Sequence, residues 1–393
     1  MNRYAVQLIS RGAVNKIGNM LYDYGNSVWL ASMGAIGQTV LGMYQISELV
    51  TSILVNHPFG GVISDRFSRR RILMMTDLVC GILCLAISFI RNDSWMIGAL
   101  IGANIVQAIA FAFSRPANKA IITELVEKDE LVLYNSRLEL VMQVVSVSSP
   151  VLSFLVLQFA SLRITLVLDA LSFFLAFGLV DLLPKKEEKT MGEKKLTFKV
   201  IFSDIKEGVH YIVKQKEIFF LLVMASSVNF FFAAFNYLLP FSNQLYGVQG
   251  AYATILTMGA IGSIVGALLA SKIKASMEML LFLLALTGLG VMIMGFTLPS
   301  YLTFSGNFVC ELFMTIFNIH FFTQVQTKVE GEYLGRVLSS IYTLAILFMP
   351  IATGLMTLLP SIHLYSFLII GLGVVVLSFL ALGYVRTHFE KET

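Results

Sequence analysis

Apolar stretches of about twenty residues, cut apart by short charged or turn-rich connections, recur twelve times along this 393-residue chain. A helix needs roughly 20 consecutive apolar residues to cross a bilayer, so the pattern describes an all-α polytopic membrane protein. The stretches read as 14–35, 39–63, 72–90, 95–113, 137–159, 163–183, 218–240, 251–271, 277–297, 301–323, 337–359 and 364–385. Composition points the same way. The chain is 57% hydrophobic and 13% charged, against about 25% charged in soluble domains, which excludes an ordinary water-soluble enzyme.

The 28 basic residues fix an orientation. With the N-terminus in the cytoplasm, the outward connections hold only Arg91 and Arg163, and the other 26 lie on the cytoplasmic side or in adjoining span ends. This is the positive-inside pattern, and it makes both termini cytoplasmic. Basic residues confined to one membrane face form no nucleic-acid patch. Between Met1 and Lys16 no cleavage site follows a short apolar core, so the first stretch reads as a retained span. Cys80, Cys84 and Cys310 fall inside apolar runs and read as small buried hydrophobes, with no disulfide framework or zinc spacing.

The longest connection divides the chain into a six-helix bundle over 1–183, a cytoplasmic linker over 184–217 and a second six-helix bundle over 218–393. In the linker, Phe198, Ile201, Ile205, Val209 and Ile212 share one helical face. They describe either an interfacial amphipathic helix or one face of a solvated linker. A faint internal repeat supports the division. Gly60-Gly61-Val62-Ile63-Ser64-Asp65-Arg66-Phe67 follows span 2, and Gly266-Ala267-Leu268-Leu269-Ala270-Ser271-Lys272-Ile273 follows span 8.

The loop between spans 2 and 3 carries the strongest motif, Gly61-Val62-Ile63-Ser64-Asp65-Arg66-Phe67-Ser68-Arg69-Arg70-Arg71. It resembles the loop signature of the major facilitator superfamily, G-x-x-x-D-R-x-G-R-(R/K), with Ser68 in place of the second glycine. Gly61 permits close helix approach, Asp65 can meet a helix N-terminus, and Arg66, Arg69 and Arg70 can pair with it or with anionic lipid. These residues are the expected gating loop. Ser114-Arg115-Pro116-Ala117-Asn118, Leu168-Asp169-Ala170-Leu171-Ser172-Phe173, Asp204-Ile205-Lys206-Glu207-Gly208-Val209-His210-Tyr211 and Leu334-Gly335-Arg336-Val337-Leu338-Ser339 are similar to the macrolide-efflux-type branch of the drug:proton antiporters. Two features depart from the antiporter pattern. The span-4 stretch Trp95 to Phe113 lacks the arginine often found there, and the span-5 motif appears as Val147-Ser148-Ser149-Pro150-Val151-Leu152-Ser153, where Pro150 can still kink the helix.

Ionisable groups inside spans are expensive unless they face a cavity or a partner, and a carboxyl removed from water favours its protonated form. Asp23 and Glu311 are the first candidates for proton coupling, followed by Glu48 and Asp169. Asp77, near the cytoplasmic end of span 3, is expected to meet the loop arginines. Polar residues form stripes on spans 1, 4, 7 and 10: Asn19 and Asn26; Asn104 and Gln107; Asn229 and Asn236; Asn307, Thr315 and Asn318. The resemblance implies that these spans line a central substrate cavity, with part of the Phe230–Tyr237 aromatic run, Phe232 included, forming its wall. Gly259, Gly262 and Gly266 form a close-packing seam, and His57 and His320 read as structural.

No phosphate-binding glycine loop and no metal-ligand spacing is present, so no cofactor is expected. The resemblance implies a monomeric secondary transporter of a bacterial plasma membrane. It would export hydrophobic or amphipathic compounds against protons, in contact with membrane lipid. A lipid flippase, a solute:proton symporter and a non-transporting receptor or scaffold remain open alternatives.

Overall fold

The computed structural model describes residues 3–56, 68–127, 129–184, 206–207, 209–274 and 276–388. Two compact units, Met1–Ile201 and Phe202–Thr393, make up the chain. The first contains α1 (Arg3–Ala31), α2 (Gly37–Thr51), α3 (Arg69–Ser88), α4 (Asp93–Leu125), α5 (Leu131–Phe159) and α6 (Leu162–Asp181). The second contains α7 (Lys216–Leu238), α8 (Ala251–Ala270), α9 (Met277–Met294), α10 (Ser300–Lys328), a broken α11 (Gly331–Ile346 and Met349–Leu358) and α12 (Tyr365–His388).

Packing inside each unit repeats with an offset of six helices. In the first, α1 packs on α5 and α6, α3 on α4 and α6, and α2 on α4. In the second, α7 packs on α11 and α12, α9 on α10 and α12, and α8 on α10. The faint sequence repeat is thus accompanied by a repeat of the main helix pairings.

Ten helices among the described residues are long and apolar enough to cross a membrane. The first two expected spans fall outside that set for physical reasons. α1 begins at Arg3, well before the expected residue 14, and carries Arg3, Arg11, Lys16 and Asp23. α2 has 15 α-helical residues and then widens into a π turn over Ser52–Asn56. The gating-loop residues Gly61, Asp65 and Arg66, and His57, lie outside the described residues. So do Phe198, Ile201 and Ile205 of the linker. Residues 209–214 are helical, with Ile212 buried, and the backbone N–H of Glu330 donates to the Tyr211 hydroxyl (3.4 Å).

Helix ends follow local chemistry. Ser68, Asn92 and Ser276 cap α3, α4 and α9 by accepting from the N–H of Arg71, Trp95 and Met279. Pro116 and Pro150 lie inside α4 and α5, which run on through them. Lys16 steadies α5 next to Pro150 by donating to the Met142 carbonyl (3.2 Å) and to the Ser146 hydroxyl. In α11, Pro350 has no N–H to return to the preceding turn, and the helix breaks at Leu347–Phe348.

Small residues set the closest approaches in the second unit. A Cβ on Gly262 would collide with the Phe308 carbonyl oxygen, and one on Gly266 with that of Leu312, so α8 and α10 meet backbone to backbone. A Cβ on Gly288 would fall 2.8 Å from the Gly371 carbonyl oxygen, and one on Gly290 would fall 2.7 Å from that of Gly306. The glycine seam on α8 is therefore a packing surface. Gly262→Ala is expected to destabilise the protein by about 1–3 kcal/mol through overpacking, lowering the thermal unfolding midpoint in detergent. Gly178→Ala, where a Cβ meets nothing within 4 Å, should leave that midpoint unchanged.

Candidate functional site

In the first unit α1 brings Asn19, Asp23 and Asn26 to neighbouring positions, but each meets different surroundings. Asn26 is fully buried and donates its amide to the Tyr44 hydroxyl of α2 (3.4 Å). Asn19 is half-buried, and Asp23 is exposed. Glu48 of α2 is exposed as well. Asp23 lies in electrostatic range of Glu48, Asp169 and Arg115, and Glu48 also lies in range of Arg115.

Arg115 corrects an expectation drawn from the sequence. The apolar run suggested that span 4 ended at Phe113, leaving it without an ionisable residue. The helix instead continues to Leu125, so Arg115 is a helical residue two positions beyond that limit. Its guanidinium carbon stands 5.6 Å from the centroid of the Phe111 ring, a favourable cation–π arrangement. α4 therefore supplies a cation facing the carboxylates of α1 and α2.

The other polar residues of α4 turn toward neighbouring helices. Asn104 donates to the Tyr44 carbonyl (2.9 Å), and Gln107 donates to the Cys84 sulfur (3.1 Å). Cys84 in turn donates to Asp169 Oδ2 (3.3 Å), while the Ser172 hydroxyl lies 3.4 Å from Oδ1. Asp169 is 0% exposed, and among the described residues its carboxyl meets only these neutral donors. Gly18 of α1 makes room for it, since a Cβ there would fall 2.7 Å from Oδ1 and collide with Ser172.

Asp77 was expected to pair with the loop arginines, and its partner is Arg11 of α1. Arg11 Nη2 reaches both carboxylate oxygens at 2.9 Å, and Nε reaches Oδ2 at 3.1 Å. Asn15 adds a bond to Oδ1 (3.3 Å), and Arg11 Nη1 donates to Asn118 Oδ1 (3.1 Å). The described loop arginines Arg69 and Arg70 bind elsewhere. Arg69 donates to the Ala120 carbonyl (3.3 Å) and pairs with Glu124 of α4. Arg70 donates to the carbonyls of Val180 (3.2 Å) and Asp181 (2.8 Å) and pairs with the Asp181 side chain. In the second unit Arg386 of α12 pairs with Glu278 of α9, helices that correspond to α6 and α3, and Lys328 of α10 pairs with Glu217 of α7.

In the second unit Glu311 of α10 is half-buried and accepts from the Ser263 hydroxyl of α8 (3.3 Å). Asn307, one turn earlier, is buried and donates to the Ile255 carbonyl (2.7 Å). Gly259 opens this corner: a Cβ there would fall 3.1 Å from Glu311 Cγ and collide with the Asn307 amide. Asn229 of α7 donates to the Ala345 carbonyl (3.0 Å), just before the break in α11, and the Ser226 hydroxyl, which donates to Leu222 in its own helix (2.8 Å), lies 3.2 Å from the Leu344 carbonyl. Phe232 is buried edge-on against Phe235, with ring centroids 5.8 Å apart. Asn236 and Asn318 are exposed.

Known proteins were compared with this arrangement. The model of the Major Facilitator Superfamily matches residues 17–345. Macrolide efflux protein A of Enterococcus faecalis is 25% identical over 311 residues, covering 75% of this chain and 93% of that protein. Macrolide efflux protein A of Streptococcus pyogenes shows the same identity over 75% of this chain and 74% of its own length. Among solved structures, a nucleoside transporter superposes with a TM-score of 0.77 at 13% identity, covering 97% of this chain and 99% of that one. A D-xylose-proton symporter superposes with a TM-score of 0.73 at 12% identity, covering 97% of both chains. At such identities these structures speak for the fold alone. The family match over most of the chain, the apolar helices and the repeated helix pairing lead to one assignment: this chain belongs to the major facilitator superfamily and is a multi-pass membrane transporter.

Proposed function

We propose that this transporter exports hydrophobic or amphipathic compounds, of the kind named by its macrolide-efflux relatives, in exchange for protons. The observation that carries the reading is the arrangement of carboxylates within apolar helices. Asp23 and Glu48 share one cation, Arg115, while Asp169 and Glu311 accept from neutral donors. A carboxylate in this setting is costly when charged and relieved by a proton. Loading and unloading it can therefore bias a conformational equilibrium.

In this reading α1 and α2 add two spans to the ten apolar helices, giving twelve. Residues 1–183 and 218–393 form the two bundles, joined by the cytoplasmic linker 184–217. The protein works as a monomer in a bacterial plasma membrane with both termini inside. The bundles rock about a midplane site, as in related secondary transporters. The exposed Asn236 and Asn318, with Asn19 and Phe232, contribute to the substrate cavity. Asn26, Asn104, Gln107, Asn229 and Asn307 brace it through the bonds described above. Gly61, Asp65 and Arg66 serve as the gating loop, with Arg69 and Arg70 anchoring its end.

The test is flux in proteoliposomes with an imposed pH gradient, using a macrolide and a panel of lipophilic cations. Gradient-dependent movement of at least one compound against its concentration, opposite to proton flow, is expected. Movement in the same direction as protons would make the protein a symporter. If only a labelled phospholipid moves, it is a flippase.

A further inference from the structure

A cavity of about 170 Å³ lies inside the first unit, between α1, α3, α4 and α6. Its floor is the Arg11–Asp77 pair, with side chains only 7% and 3% exposed. Those two charges cancel. Arg115 also lines the cavity, and among the described residues no carboxylate stands within ion-pair distance of it. Asp23 and Glu48 act on it only at longer range, so the cavity presents a guanidinium whose planar fork is open to a carboxylate. Ser114, which is buried, adds a hydroxyl donor on the same helix. Asn118 accepts from Arg11 through its oxygen, which leaves its amide N–H groups as further donors.

The α1 side has the opposite need. Asn15 donates its amide to Asp77, so its free atom is the oxygen. Among the described residues, that oxygen and Asn19 Oδ1 are both buried without a hydrogen-bond partner, a state that costs free energy until a donor arrives. Phe111 and Phe173 complete the lining with apolar surface.

We propose that this cavity binds a small carboxylate that also carries a hydrogen-bond donor, an aromatic hydroxy acid being the simplest example. The carboxylate meets Arg115, Ser114 and Asn118, the hydroxyl donates to Asn15 or Asn19, and the carbon skeleton rests on Phe111 and Phe173. Water would satisfy the two amide oxygens but would give Arg115 no charge-assisted hydrogen bond at close range. The inference goes beyond export, because it requires neither a proton gradient nor flux, and a failed binding test would leave the export reading standing.

Calorimetric titration of the purified full-length protein with mandelate, phenylacetate, benzylamine and benzyl alcohol tests it. Mandelate is expected to bind saturably, and phenylacetate, which lacks the hydroxyl, roughly tenfold more weakly. Benzylamine and benzyl alcohol should show no saturable binding. Arg115→Gln should weaken mandelate by roughly tenfold or more. Asn19→Leu should weaken mandelate while leaving phenylacetate unchanged, which also keeps the test decisive if the Arg115 variant does not fold. Three results would overturn the proposal: benzylamine binding as tightly as mandelate, mandelate affinity unchanged in a folded Arg115→Gln protein, or no saturable binding of any probe to the folded wild type.

Discussion

Asp23→Asn and Glu311→Gln are each expected to reduce gradient-driven transport in proteoliposomes to the level seen without a gradient. Each substitution keeps shape and hydrogen-bonding capacity while removing the group that takes up a proton. An amide oxygen at position 311 can still accept from Ser263, so the α8–α10 corner described above is preserved. Substrate exchange across a membrane with no gradient should continue, because it needs only binding and rocking. That contrast separates a coupling defect from a binding defect. If both variants drive accumulation as well as the wild type, these carboxylates are not the coupling groups. Glu48→Gln should show a smaller loss, since Arg115 faces both Glu48 and Asp23 and the latter remains.

Asp77→Asn is expected to produce the largest loss of stability, and Arg11→Met a comparable one. Removing one partner from a buried pair strands the other charge, at a cost of about 3–5 kcal/mol. Here Arg11 also holds Asn118, so α1, α3 and α4 loosen together. Replacing both residues, as Arg11→Met with Asp77→Leu, should recover much of the loss, because no bare charge is left. The measurement is the thermal midpoint of each purified protein, with the yield of monodisperse protein as a second readout. Single variants as stable as the wild type would show that the pair is not shielded from water.

Hydropathy located the apolar cores of the helices well and their ends poorly, for a common reason. A run ends, on any polarity scale, where a charge appears, but a charge with a buried partner does not end a helix. Arg11 lies within α1 because Asp77 neutralises it, and that partner is 66 residues away. Arg115 falls just past the apolar run that ends at Phe113, yet α4 continues to Leu125. The carboxylates themselves were legible, since each interrupts an apolar run. Their environments were not. Asp169 depends on a thiol and, through it, on Gln107, and a cysteine in an apolar run gives no polar signal. Asn229 looked like cavity lining until its amide was found on a carbonyl next to the α11 break. The sequence does mark that break with Pro350, but nothing local says which helix would supply the missing donors.

The glycine contacts of the second unit decide where it can bend. Main chain touching main chain leaves no side-chain slack, so α8, α9, α10 and α12 are joined through Gly262, Gly266, Gly288 and Gly290 into a single stiff plank. The compliance left in this unit belongs to α7 and α11. Between them, Asn229 holds the Ala345 carbonyl just ahead of a discontinuity that is already present. Flexing there releases chiefly one side-chain hydrogen bond, a lower barrier than unwinding a turn of continuous helix, so the soft joint of the second unit is a latch at Asn229.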